Sequence, residues 1–531
     1  MPNLRKKVAG FMRQLSISNL AVAVENIGQG DHSFRNAKPI AQDNNEGCFL
    51  TRYLNGLEKK QEGPLILHGR NAQELPVKRL GNFPKDEEIF AALTGPDIGL
   101  TAVNQDQKHL TINDEDIDYI DMQDQTDHCE NDTSIPSSIP TEVTDWFKPH
   151  EAAYGIATTL YEKNPVTEIN NGEPIADCFA IVARPNSAIL ALADGVNWGV
   201  KARIAARSAI HGSMDYLNKA LFGSLVNNST LTTRDVFKAL LQSFHAAHSL
   251  ILQQQGMLTT LTVCVIFPLP NANTSTSTNS KRYIACTCNV GDSLAYVYSR
   301  KFGVREITRG SHDIHCMRDM RDALGALGPA DGVNPELNNL TLALTEVEVG
   351  DIVFLTSDGI SDNFDPVVGK FAILPNSTNA HSSIKNNADL RTKQRRRSAE
   401  NFKESDAHNS NGNANSLPVV EAYQRHELTL LRMEDLLNRG VSGEGPPCNS
   451  AKHLCELLLD FAVSITAAKR RILEDTDLYY AQNEEGNLVQ LSKPEERVQR
   501  KKALERLTMI PGKLDHATVV AYAVGVYTSS E

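Results

Sequence analysis

The chain has 531 residues, 41% of them hydrophobic and 22% charged, with a formal net charge of -12, so it can bury a sizeable core, and its length allows about two to four domains. An acidic balance of that size argues against a nucleic-acid or anionic-membrane surface spread over the whole molecule, although a local basic patch is compatible with it. No apolar stretch has the length a membrane span needs, the N-terminus lacks a signal-peptide pattern, and the nine cysteines lie mostly in apolar runs such as Leu261–Phe267, so an intracellular protein with reduced thiols is expected, in the cytoplasm or the nucleus; a monomer is the working expectation, on which these features are silent.

The first twenty or so residues carry Arg5, Lys6, Lys7 and Arg13 among Val8, Phe11, Met12 and Leu15. That pattern suits either a short basic amphipathic helix or a fraying terminus. From there to Thr144 the chain is punctuated by Asn, Gln, Asp and Pro, and an acidic tract runs through Asp114, Glu115, Asp116, Asp118, Asp121, Asp124 and Asp127. Such composition buries too little apolar area to offset its ordering entropy, so residues 1–145 are expected to be mostly disordered. Short apolar pieces such as Pro64-Leu65-Ile66-Leu67 are left to pack on a neighbour.

From Asp145-Trp146-Phe147 the texture changes, and residues 146–531 read as the folded domain. Asp177–Ala183 and Ala188–Ala193 form a hairpin across Asn186-Ser187, followed by Asp194-Gly195-Val196-Asn197-Trp198-Gly199. A helix starts near Lys201 with Ile204, Ala205, Ser208 and Ala209 on one face, and a second covers Thr233–Gln254. Gly256-Met257-Leu258-Thr259-Thr260 leads into a strand at Leu261–Phe267, a Ser/Thr/Asn loop covers 271–280, and Tyr283–Cys288 is the partner strand. Cys286 and Cys288 share a face of that strand, and burial is expected because no second cysteine pair completes a zinc site. Asn289-Val290-Gly291-Asp292-Ser293 makes a tight turn into Leu294–Tyr298, and His312 and His315 are expected in a solvated loop.

The strand in Asp351-Ile352-Val353-Phe354-Leu355-Thr356 runs directly into Ser357-Asp358-Gly359-Ile360-Ser361-Asp362. Residues 376–418 follow as a disordered insertion whose run Lys393-Gln394-Arg395-Arg396-Arg397 suits nuclear import, a basophilic kinase site or a solvated loop. Helical periodicity returns at Val419–Leu437 and Ser450–Leu473, and Pro511-Gly512-Lys513-Leu514-Asp515-His516 opens a terminal strand. Asp194, Asp358 and Asp515 thus each stand where a loop meets a strand. Hard divalent ions favour oxygen ligands and are held by few carboxylates, and a pair of them can activate water and clamp a phosphoryl oxygen. Three ordinary turn aspartates would give the same local pattern.

The order of these pieces resembles the metal-dependent Ser/Thr protein phosphatases of type 2C over residues 146–375 and 419–526. The resemblance rests on the two helices after the first Asp-Gly, Gly-x-x-Thr-Thr before a strand, Asn-Val-Gly-Asp-Ser, Phe-Leu-Thr-Ser-Asp-Gly-Ile-Ser-Asp and the terminal Asp-His-Ala-Thr-Val-Val. It implies an α+β, four-layer α-β-β-α sandwich of two mainly antiparallel sheets flanked by helices, with two divalent metal ions, Mn or Mg, between the sheets. On that resemblance Asp194 looks like the bridging ligand, Gly195 like the carbonyl ligand, and Asp358 and Asp515 like the remaining direct ligands. Asp177 matches an aspartate that reaches a metal through water, and Asp292 and Asp362 match positions tied to a weaker third ion.

Four departures accompany these matches. Val196 stands where many members carry a His proposed as general acid, a role that contributes about 10²–10⁴-fold to rate. No basic residue lies in Asn170–Ile175, where the family's phosphate-holding Arg belongs, and His516 replaces the usual Asn. Ser311-His312-Asp313 is only a loose echo of the family's substrate-loop motif, and no residue is assigned as general acid. The resemblance therefore implies a divergent phosphatase acting on phosphoserine or phosphothreonine through a metal-activated water. The alternative is a pseudophosphatase that keeps the fold and the metal site, or only its shape, and works as a scaffold or by binding a phosphoprotein or other protein partner.

Overall fold

The computed structural model describes residues 49–56, 62–81, 83, 88–97, 143, 145–223, 231–270, 281–316, 323–375, 417–483 and 488–527. In chain order the strands are β1 (Ile66–Gly69), β2 (Ala91–Gly95), β3 (Phe147–Lys148), β4 (Ala153–Thr159), β5 (Cys178–Arg184), β6 (Ser187–Ala193), β7 (Leu261–Pro268), β8 (Arg282–Val290), β9 (Leu294–Ser299) and β10 (Gly303–Glu306). They continue as β11 (Ala326–Asp331), β12 (Asn334–Glu336), β13 (Thr341–Glu348), β14 (Ile352–Thr356), β15 (Tyr480–Gln482), β16 (Leu488–Gln490) and β17 (His516–Ala523). An antiparallel sheet of eight has the order β1-β13-β8-β7-β6-β5-β2-β3, and one of five has the order β10-β9-β14-β17-β4.

Alternation along β5 and β6 explains why neither strand shows an exposed face. Ile181, Ala183, Leu190 and Leu192 point into the core between the sheets, while Ala180, Val182, Ile189 and Ala191 point toward the helix pair Val200–Phe222 and Thr233–Gln253. Every residue of both strands is buried, as a strand covered on both faces requires. On the far side, the helices Ala422–Arg439 and Ala451–Leu473 cover the five-stranded sheet through Leu430, Met433, Leu454, Leu458 and Phe461. The result is the expected four-layer sandwich. The helix ends follow their capping chemistry: Thr232 and Asp235 form a reciprocal capping box, and Ser450 accepts from the His453 N–H.

The larger sheet also takes in two strands from the region expected to be mostly disordered. β1 pairs with β13 from Ile66↔Thr345 to Gly69↔Leu342, and β2 pairs with β5 from Ala91↔Ala183 to Gly95↔Phe179. β1 is only four residues long and β2 is made mostly of Ala, Thr and Gly, so neither carries much local signal; they gain their stability from pairing and from neighbours such as Leu75, Leu80 and Phe90, which are buried. The N-terminal basic stretch, the acidic tract Asp114–Asp127, the loop 271–280 and the basic run Lys393–Arg397 lie outside the described residues.

Antiparallel pairing sets the candidate aspartates on one edge. The C-terminal end of β14 lies beside the N-terminal end of β17 through Thr356↔Val519, and the N-terminal end of β5 lies beside the C-terminal end of β6 through Cys178↔Ala193. Ser357 stitches the first pair: its N–H donates to the Thr518 carbonyl at 3.0 Å, and its hydroxyl accepts from the Thr518 N–H at 2.9 Å. Gly359 follows at a point where a Cβ would stand 1.8 Å from the His516 carbonyl oxygen. Glycine is needed there for close backbone approach. Gly359→Ala is expected to destabilise the fold by about 2–3 kcal/mol or more, read as a lowered urea midpoint, because backbone and not a pliable side chain stands in the way; an unchanged midpoint would contradict that approach.

Candidate functional site

A cavity of about 260 Å³ opens at this edge, with Asp194, Gly195, Asp292, Asp358, Asp515 and Lys513 on its wall. Asp177 lies beneath it, fully buried, and Asp362, on the turn after Asp358, meets the cavity-lining Lys513 at 2.9 Å. All seven residues singled out in the sequence, which are Asp177, Asp194, Gly195, Asp292, Asp358, Asp362 and Asp515, therefore gather at one end of the sandwich.

Local structure fixes each of them. The Asp194 carbonyl accepts from the Thr260 N–H at 2.8 Å and the Thr259 hydroxyl at 2.9 Å, while the Asp194 N–H donates to the Thr260 hydroxyl at 3.0 Å. That explains the Thr-Thr pair before β7: it holds the end of β6. At Gly195 a Cβ would lie 2.6 Å from the Ala202 carbonyl oxygen and 2.9 Å from that of Ala176. Gly291, at φ +98°, turns the chain ahead of Asp292, and its N–H donates to the Asn339 side chain at 3.0 Å.

The electrostatics are those of crowded carboxylates under burial. Burial first, and then the carboxylates of Asp177, Asp358, Asp515 and Asp292, push Asp194 well above the ordinary carboxylate range. Burial also raises Asp177, against the pull of His516 and of the Thr518 and Ser357 hydroxyls. Those hydroxyls lie near its carboxylate but not at hydrogen-bonding geometry.

A residue that sequence reasoning passed over sits among these acids. The Lys513 Nζ donates to the Asp358 and Asp362 carboxylates, the second at 2.9 Å, and lies 3.0 Å from Asp515 Oδ2. Burial would lower the pKa of Lys513, but the charges of Asp362, Asp358 and Asp515 outweigh it and hold the amine protonated. The backbone of this lysine is clamped. Buried Asn363 accepts from the Lys513 N–H at 2.8 Å and donates to the Lys513 carbonyl at 3.0 Å, and it donates also to the Gly359 carbonyl at 2.7 Å. The preceding Gly512 adopts φ +93°, donates to the Val368 carbonyl at 3.1 Å and accepts from the Lys469 ammonium. The only signal in the sequence was a lysine two residues before Asp515, inside a motif read for its aspartate.

This arrangement bears on the expected metal ions. The donors are hard oxygens of the right kind, but a charged nitrogen already stands between Asp358, Asp362 and Asp515. Among the described residues, no three or more His, Cys, Asp or Glu side chains close up as a metal cage. As arranged, the site does not fit two divalent ions.

The rim, too, departs from the pattern that the resemblance implies. The Val196 N–H donates to the Leu258 carbonyl at 2.9 Å, and Asn197 and Gly199 adopt left-handed φ of 66° and 97°. That loop presents Trp198, 61% exposed, edge-on to Tyr161 with ring centroids 4.5 Å apart. Tyr161 in turn donates to Asp515 Oδ1 at 3.3 Å. His516 also lines the cleft, with its Nε2–H donating to the Gly172 carbonyl at 2.6 Å. His312, expected in solvent, is instead mostly buried against Glu306, Nε2 to Oε1 at 2.6 Å. Burial alone would raise Glu306, but His312, His426 and the Thr308 hydroxyl hold it at about 2. His315 is exposed, as expected.

Asn363→Ala is expected to cost about 2–4 kcal/mol, because it strands three backbone groups at roughly 1 kcal/mol or more each in a buried place. A thermal or urea melt checks this; a change under about 0.5 kcal/mol would mean that the clamp is dispensable.

No protein-family model matches the chain. Two solved structures that overlap it are the serine/threonine phosphatase Stp1 from Staphylococcus aureus and the phosphatase domain of SpoIIE from Bacillus subtilis. Stp1 is 12% identical over 71% of this chain and 96% of its own, at a TM-score of 0.28; SpoIIE is 11% identical over 72% and 99%, at 0.26. Overlaps this loose add nothing to the architecture already described. The sequence itself is 36% identical to the PP2C-like domain-containing protein CG9801 of Drosophila melanogaster, over 99% of this chain and 96% of that one. With an identity of that level sustained over nearly the whole of both chains, on a four-layer sandwich with its acidic edge in place, this chain belongs to the PP2C-like domain-containing proteins.

Proposed function

We propose that this chain is a pseudophosphatase, which keeps the sandwich and its acidic cleft and acts inside the cell by binding a phosphoprotein or another protein partner. The observation that carries this reading is the Lys513 ammonium bonded among Asp358, Asp362 and Asp515. An ammonium neutralises carboxylates but offers no open coordination position, so it cannot lower the pKa of a bound water as a divalent ion does. Val196 in place of a general acid, and the absence of a basic residue from Asn170–Ile175, point the same way.

A second reading, a divergent Mn- or Mg-dependent Ser/Thr phosphatase, is favoured by a different observation. Lys513 balances only part of the negative charge at this edge: Asp194, the acid next to the Gly195 carbonyl, stands among four further carboxylates. In that reading Asp194, Gly195, Asp358 and Asp515 would hold the ions, with Asp177, Asp292 and Asp362 around them. The chemistry such ions supply is activation of a water, and this reading would require the Lys513 ammonium to leave Asp358, Asp362 and Asp515.

Hydrolysis of a phosphothreonine peptide by the full-length chain, with and without Mn²⁺, separates the two. The expected outcome is no Mn²⁺-stimulated phosphate release above that of Asp194→Ala and Asp358→Ala. Metal-dependent turnover lost in both variants would refute the pseudophosphatase and support the enzyme.

A further inference from the structure

We propose that the Lys513 ammonium is a tethered cation that fills the position a divalent ion would take among Asp358, Asp362 and Asp515, so that the chain carries a latent metal site closed by its own lysine. This deepens, and rests on, the reading of the cleft as non-hydrolytic.

Geometry carries the inference. Three carboxylates from two segments far apart in sequence converge on one nitrogen, with Asp362 at 2.9 Å and Asp515 at 3.0 Å. These are ammonium distances; Mg²⁺ would draw oxygens in to about 2.0–2.1 Å, a shift of less than an ångström for each ligand. The nitrogen does not arrive by chance of a flexible stem. Asn363 holds both the N–H and the carbonyl of Lys513, and Lys469 and Val368 hold Gly512, so the backbone directs the side chain toward the acids. The same Asn363 binds the Gly359 carbonyl, so the lysine and the turn carrying Asp358 and Asp362 are one hydrogen-bonded unit.

The physical consequences are those of a metal clip. A charge held between acids that would otherwise repel one another ties the turn after β14 to the start of β17, and removing it leaves like charges buried together. A diffusible cation is lost to a chelator; a covalently attached one is present at every metal concentration. Lys513→Met keeps the length of the stem and removes the charge, which leaves the carboxylates to an ion from solution.

The test compares Mn²⁺ binding to the full-length wild type, Lys513→Met and Lys513→Arg by titration calorimetry and by melting with and without Mn²⁺. Lys513→Met is expected to bind one Mn²⁺ more than wild type and to melt several degrees higher with the ion than without, whereas Lys513→Arg keeps the wild-type stoichiometry. Equal stoichiometry and equal melting shifts in wild type and Lys513→Met would overturn the proposal. Should Lys513→Met not fold, amine acylation of the wild type read by mass spectrometry decides. Lys513 that stays equally protected with and without millimolar Mn²⁺ supports a fixed cation, and Lys513 that becomes reactive when Mn²⁺ is added refutes it. If the wild type shows Mn²⁺-dependent turnover, the functional reading falls whatever Lys513→Met binds; if it shows none and Lys513→Met gains no ion, only the tethered-cation inference falls.

Discussion

Buried carboxylates crowded at one end of a sandwich need a positive charge, and in this chain Lys513 supplies part of it from within. Its ammonium meets Asp358, Asp362 and Asp515, which lie at the end of β14 and the start of β17, strands paired side by side in the middle of the smaller sheet. The backbone around the lysine is built to the same end. Asn363 binds both Lys513 and the Gly359 turn, and Ser357 closes the strand pair from inside. Charge, clamp and strand register therefore form one unit, and the shape of the cleft depends on it.

The opposite wall is organised differently. Asp194 is fixed through its backbone by Thr259 and Thr260, and its carboxyl is raised by burial and by surrounding acids. One side of the cleft is thus compensated by an internal cation and the other is not. That asymmetry matches the proposed binding role, because the compensated side is occupied by a nitrogen that cannot activate water. Trp198 and Tyr161 add an aromatic rim above Asp515, a kind of surface suited to contact with a partner.

The long-range organisation also explains the two strands that precede residue 146. β1 is short and β2 small-chained, yet both join the eight-stranded sheet by pairing with β13 and β5, and Ile66 and Leu67 of the apolar piece at 64–67 find their neighbour in β13. His312 makes the same point on a smaller scale. Its loop reads as solvated, but the fold brings Glu306 and His426 against it, and a buried carboxylate takes the histidines as its partners.

By itself the sequence determined the central strands, whose apolar runs alternate between two cores, the four long helices with their periodic faces, and the placing of Asp194, Asp358 and Asp515 at strand ends. These are local properties: periodicity, turn chemistry and the adjacency of a carboxylate to a glycine can be read within a dozen residues. Only the tertiary structure decided that the acids converge, and that a lysine stands among them. The direction of the Lys513 side chain is set by Asn363, 150 residues away, and its protonation by three carboxylates from two strand ends. No spacing within a single segment encodes such a contact, because it exists only once antiparallel register has brought β14 beside β17.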